Sequence, residues 1–245
     1  MVFLDFFRPW GRFYSRWALG QSAGTVAIGA LFLLGVDRVT VATMLLFFYG
    51  VSLSLLVLSG RHPVRLCNVV TATRWLLGLS ALAWIVGLEL FSYSLAGNLR
   101  WAIAGLLALA EATDALDGYL ARRRGPTSFG AKLDMETDSA FAFILSFVAV
   151  AYFGMPGWVL AIGLFHYGYF LLFRFTEEPE RSVPAYKGFA KIVCAFLMIG
   201  LIVSLAPPIS HTAKTTLNAV SLGLLILSFG WDLYLRVAPL QVVRS

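Results

Sequence analysis

Apolar residues in this chain come in long runs and not in alternation. Eight stretches of roughly membrane-spanning length lie near 17–36, 40–59, 68–91, 99–122, 131–153, 157–175, 189–207 and 215–236, separated by short polar gaps. A helix needs about 20 mostly apolar residues to cross a bilayer. Period-2 patterning is absent, and glycine and aromatic residues are spread through the runs, which predicts helices and not a membrane β-barrel. The expected fold class is all-α: a polytopic membrane helical bundle of about eight transmembrane helices, with nothing left over for a soluble domain.

Composition agrees with that pattern. The 245 residues are 59% hydrophobic and 13% charged, with a mean hydropathy of +0.80, against about 45–50% and 25% in a soluble domain. Sixteen of the nineteen Lys and Arg residues fall on the side of the N-terminus, leaving Arg38, Arg100 and Lys214 on the other. The positive-inside rule then predicts both termini in the cytoplasm, and a bacterial or archaeal cytoplasmic membrane is the expected location. A net charge of +6 and a pI near 9.5 would suit nucleic acid. The basic residues flank spans, however, so anionic headgroups and phosphorylated substrates are the expected partners and nucleic acid is not. The segment from Phe3 to Trp17 interleaves aromatic and basic residues as an interfacial stretch does and lacks a small-residue cleavage pattern. The seven tryptophans mostly sit near predicted interfaces, as an aromatic belt. Cys67 and Cys194 lack the spacing of a metal or redox pair and read as packing residues.

One region departs from a bland bundle. Asp114 and Asp117 stand three apart in the fourth segment, Gly125-Pro126 breaks the chain, and Asp134 and Asp138 stand four apart in the fifth. Each pair shares a helix face, and a helical hairpin would bring the pairs together. An acid deep in a span costs roughly 2.5–3.5 kcal/mol, so four left unpaired would cost on the order of 10–14 kcal/mol. Salt bridges to Arg122, Arg123, Arg124 and Lys132 would offset part of that cost. Four carboxylates on facing helices suit hard cations better, two divalent ions such as Mg²⁺ or Mn²⁺, with no His or Cys among them to favour zinc. Two such ions clamp a diphosphate, so phosphoryl chemistry is indicated. Gly118 and Gly130 beside the acids would admit a close backbone or ligand approach.

These residues carry a resemblance. Asp114-x2-Asp117-Gly118-x2-Ala121-Arg122-x7-Gly130-x3-Asp134-x3-Asp138 resembles the signature of the CDP-alcohol phosphatidyltransferases, with eight fixed positions over 25 residues. The likeness extends across about 68–236, which divides the chain into residues 1–66, with two additional helices, and a six-helix core at 67–245. The resemblance implies transfer of a phosphatidyl group from a CDP-linked lipid, usually CDP-diacylglycerol, to an alcohol, with release of CMP, in phospholipid biosynthesis. It implies Asp114, Asp117 and Asp134 as metal ligands and Asp138 as the general base, also near the metals. It places Arg122 near the diphosphate and Gly118 and Ala121 along the nucleotide pocket, with Gly130 on the CDP side. Asn68-x2-Thr71-x2-Arg74 looks like the motif that opens the first core helix in many members. Asn68 and Thr71 would contact the nucleotide, with helix capping the plainer role for Asn68, and Thr113 would do the same. A homodimer is the expected assembly from the family.

For the acceptor, Arg174, Arg181, Lys187 and Lys191 lie on the predicted cytoplasmic side, and Lys187 and Lys191 are one helical turn apart. They would hold the phosphate of an acceptor such as glycerol 3-phosphate or inositol phosphate, or else serve as flanking charge beside Glu177, Glu178 and Glu180. Phe129 to Asp138 is similar to phosphatidylinositol synthases, but Ser139-Ala140 replaces the arginine common there. His166 reads as a packing histidine, Glu89 and Asp232 as solvated or paired, and Glu111 as a group orienting a metal ligand. A CDP-choline or CDP-ethanolamine donor with diacylglycerol as acceptor is the alternative within the family. An ion-coupled transporter is the alternative outside it; that would spread its acids along a pathway and show inverted repeats, whereas here the acids are confined to one hairpin.

Overall fold

The computed structural model describes residues 9–59, 66–93, 97–124, 128–173 and 184–237, with side chains for 13–59, 68–93, 97–113, 129–172, 186 and 188–235. Among them are eight α-helices and no strand: α1 Pro9–Leu33, α2 Arg38–Ser59, α3 Leu66–Leu90, α4 Asn98–Arg124, α5 Ser128–Phe153, α6 Leu160–Phe173, α7 Pro184–Leu205 and α8 His211–Val237. A short 3-10 turn, Gly157–Val159, leads into α6. The helices follow the apolar runs closely, because a run of that length in lipid must satisfy its backbone internally.

Five of the helices are long and apolar enough to cross a membrane: α2, most of α3, most of α5, the apolar part of α7, and α8. The chain is therefore a polytopic membrane protein. The three others miss for identifiable reasons. Helix α6 has 14 residues, a rise of about 21 Å against a hydrocarbon core of about 30 Å. Over their described side chains, helix α4 opens with Asn98 and Arg100 and carries Glu111, and α1 carries Ser15, Arg16, Gln21 and Ser22.

Helix α2 illustrates how the bundle faces its solvent. It is apolar all round, yet its buried residues, Val41, Ala42, Leu45, Tyr49, Ser52, Leu53 and Leu56, recur at helical spacing on one side. Phe47 and Leu58 stand exposed on the other, which suits lipid and not water. Its start is set by Asp37, whose carboxylate accepts the N–H groups of Val39 at 3.1 Å and Thr40 at 2.9 Å, an N-cap. Hydrogen bonds from Thr40, side chain and backbone, hold that carboxyl below its ordinary range.

Helix α5 is the centre, with 78% of its apolar window buried against 22% for α8. It packs against α3, α6 and α7; α4 lies against α3 and α7, α1 against α2 and α6, and α8 against α7. Close approach to α5 depends on Gly163 of α6, where a Cβ would sit 2.5 Å from the Phe143 Cα and 2.4 Å from the Ser146 hydroxyl. Small residues at such crossings let membrane helices pack without a hydrophobic driving force. Gly154 ends α5 with φ +74, and the Met155 N–H closes the helix on the Ala149 carbonyl at 3.0 Å.

From Pro9 onward the N-terminal stretch differs from its expected form, while residues 1–8 lie outside the described residues. The helix begins at Pro9, a residue suited to the first helical position, and Tyr14 and Trp17 are core residues and not interfacial ones. Trp75 is also fully buried, edge-on to Tyr49 at 6.1 Å. Trp84, Trp101, Trp158 and Trp231 do stand exposed.

Candidate functional site

The site is built on the first half of α5. Asp134 and Asp138 lie one turn apart there, about 40° around the helix axis, and are 46% and 31% exposed. Facing them from α3 is Arg74, whose side chain is 0% exposed. Its Nη2 donates to Oδ1 of Asp134 at 3.3 Å and, more closely, to Oδ1 of Asp138. One guanidinium thus bridges both carboxylates. A buried arginine at this depth is costly unless paired, and two acids provide that pairing while leaving the carboxylates partly open to ligand.

In the sequence Arg74 stands out only as part of a motif and as a positive-inside marker. The spacing carried a further signal: Asn68, Thr71 and Arg74 succeed one another every three residues, and all three are buried. A charged residue continuing a buried helix face calls for a buried partner. Among the described ion pairs, Asp134 and Asp138 bind Arg74 and not Lys132, whose ammonium lies 4.4 Å above the ring of Tyr14.

The other expected site residues distribute as follows. Gly130 is partly buried on α5, one turn before Asp134, and Phe129 is buried beside it. Asn68 and Thr71 are buried on the face of α3 that presents Arg74. Thr113 is partly buried and its hydroxyl donates to the Ala110 carbonyl of its own helix at 2.6 Å, so that proton is spent locally and only its oxygen remains to face a ligand. Asp114, Asp117, Gly118, Ala121 and Arg122 all lie on the last three turns of α4, but their side chains fall outside the described residues. Helix α4 shares its neighbours α3 and α7 with α5.

Of the expected acceptor cations, Lys191 is exposed on α7 and Lys187 lies one turn earlier on the same helix. The Lys187 side chain, and Arg174 and Arg181 altogether, are outside the described residues. Glu89 and Asp232 are both paired, Glu89 with Arg38 at 2.8 Å and Asp232 accepting from the Tyr169 hydroxyl at 2.5 Å. His166 packs edge-on to Tyr167 at 5.5 Å. Cys194 is exposed on α7, and the Cys67 side chain is outside the described residues.

Among the described residues, no group of three or more His, Cys, Asp or Glu gathers as a metal site. The donors that are described fit a hard cation in kind: two carboxylates on adjacent turns, partly open, with one oxygen of each already oriented by Arg74. Together these features define a class, a helical membrane protein with a carboxylate–arginine cluster set into its central helices. The profile of the CDP-alcohol phosphatidyltransferase family matches residues 64–231. The chain belongs to that family, and the match begins after α2 ends. No curated protein and no solved structure matches it significantly. The family makes it an enzyme of CDP-alcohol phosphotransferase chemistry, acting on a CDP-linked lipid donor and an alcohol acceptor in phospholipid biosynthesis.

Proposed function

We propose that this enzyme moves the phosphatidyl group of CDP-diacylglycerol to a water-soluble alcohol at the cytoplasmic face of the membrane, releasing CMP. The observation that carries the reading is the pair Asp134 and Asp138 around buried Arg74, set within the family signature. Asp138 takes the proton from the acceptor hydroxyl. The acceptor oxygen bonds to the lipid-side phosphorus, the bond from that phosphorus to the bridging oxygen breaks, and CMP leaves with that oxygen. Arg74 stays charged and holds the Asp138 carboxylate aimed at the hydroxyl. Asp114, Asp117, Asp134 and Asp138 would hold two Mg²⁺ or Mn²⁺ ions, which polarise the phosphorus and neutralise charge on the leaving nucleotide when bound. Asn68, Thr71, Thr113, Gly118, Ala121, Arg122 and Gly130 would line the CDP site, where fixed cations stabilise developing charge.

The acceptor in this reading is a phosphorylated polyol, such as glycerol 3-phosphate or inositol phosphate, its phosphate held by Arg174, Arg181, Lys187 and Lys191. The pair of lysines one turn apart at the start of α7 supports this choice. All eight helices would span or fill the membrane with both termini cytoplasmic. Residues 67–245 form the catalytic core, residues 1–66 add α1 and α2, and two copies form a homodimer. The test is a panel of glycerol 3-phosphate, inositol phosphate, serine and choline offered with CDP-diacylglycerol and Mn²⁺, read by product lipid mass. A phosphorylated acceptor should be taken, and Lys187→Ala and Lys191→Ala should raise its KM about tenfold with kcat little changed. Product from serine or choline alone, or unchanged kinetics in both variants, would refute the acceptor assignment. Turnover of CDP-choline with diacylglycerol in place of CDP-diacylglycerol would reverse the donor.

A further inference from the structure

Helix α5 is gripped from two sides at the level of its aspartates, and the second grip comes from outside the family-matched range. Glu136 lies between Asp134 and Asp138 in sequence but about 200° around the helix from Asp134. It is 2% exposed. The hydroxyl of Tyr14, on α1, donates to its Oε1 at 2.8 Å. Lys132, one turn earlier on α5, stands 4.4 Å over the same tyrosine ring, a cation–π contact. Tyr14 is therefore held at two points by one face of α5. It is fixed in turn within its own layer: its ring stacks on Trp17 at 6.0 Å, and the indole N–H of Trp17 donates to the Ser52 carbonyl of α2 at 3.0 Å. Ser52 bonds Gln21 of α1, and Thr25 of α1 meets the Tyr49 hydroxyl of α2 at 3.2 Å.

We infer that Tyr14 and Glu136 are positioning residues for the metal-binding turn of α5, and that α1 and α2 are a working part of the active site. The inference rests on the assignment of Asp134 and Asp138 to the metals. A carboxyl buried to this degree needs a partner, and Tyr14 provides one at a single rotational setting of α5. Arg74 grips the front of the helix and Tyr14 the back, so α5 cannot turn about its axis without breaking one of the two. Side-chain ends lie about 5–6 Å from a helix axis, so a rotation of about 10° moves the aspartate oxygens by about 1 Å. Misplacement of that size is enough to cost a site on the order of 10²-fold.

The measurement is Mn²⁺ affinity of the purified full-length protein in lipid nanodiscs, with free Mn²⁺ read by electron paramagnetic resonance and no substrates present. Tyr14→Phe keeps the ring and removes the donor; Glu136→Met removes both acceptor oxygens at similar side-chain length. Each should weaken Mn²⁺ binding about 10-fold or more, within the range for groups that orient metal ligands. The double variant should be no weaker than the worse single one, because both break the same bond. Asp134→Asn is the reference and should abolish binding. If Asp134→Asn abolishes binding while Tyr14→Phe and Glu136→Met stay within twofold of wild type, the positioning role is refuted and the aspartate assignment stands. If Asp134→Asn binds Mn²⁺ as wild type does, the aspartate assignment falls and the inference with it. Should Glu136→Met fail to fold, Tyr14→Phe alone decides. A lowered melting temperature with unchanged Mn²⁺ affinity counts against the inference, since a purely structural contact gives that result.

Discussion

Helix α5 meets an arginine–carboxylate cluster at each end, and the two are built from the same chemistry with opposite settings. Near its start, Arg74 is 0% exposed and bridges Asp134 and Asp138. Near its end, Arg38 is 50% exposed and pairs with Glu89 at 2.8 Å. Arg38 also lies 5.1 Å from the Tyr152 ring centroid and donates to the Ala151 carbonyl at 3.3 Å. The Arg38 cluster staples the starts and ends of α2, α3 and α5 together at a membrane edge, where water can take over any bond that breaks. The Arg74 cluster has no such relief on its arginine side. An arginine carried that deep, with its acids left partly open, suits a ligand site better than a stabilising ion pair.

The contrast can be broken by mutation. Arg74→Lys keeps the charge but loses the planar fork that serves two carboxylates at once. CMP release should fall about 10²-fold; activity near that of wild type would place Arg74 among packing residues. Glu89→Gln at the other end should leave CMP release within twofold and lower stability by less than about 1 kcal/mol, the usual worth of an exposed pair. A loss of activity there comparable to Arg74→Lys would erase the difference between the two ends.

The same contrast explains which features could be read in advance. The eight helices follow from run length alone, since lipid leaves the backbone no other choice. Asp134 and Asp138 stand out because acids four apart inside an apolar run have no cheap explanation. Arg74 did not, because an arginine near a span end looks like a topology marker until its burial is known. Tyr14 and Trp17 looked interfacial for a related reason: aromatic and basic residues at the start of a membrane helix fit a headgroup layer equally well. Glu136 was hidden by distance, its partner lying 122 residues away, which no local pattern reports. The side chains of Asp114 and Asp117 lie outside the described residues, so the four-carboxylate arrangement stands on the signature and on the α5 half of the site.

The central claim is that the α5 aspartates carry CDP-alcohol chemistry. It is tested most directly by CMP release from CDP-diacylglycerol with Mn²⁺ and the accepted alcohol, comparing wild type with Asp138→Asn in the same bilayer. The account predicts CMP and a matching amount of product lipid from wild type, and a loss of at least about 10²-fold from the variant, with donor binding largely kept. Equal CMP release from both proteins would contradict it.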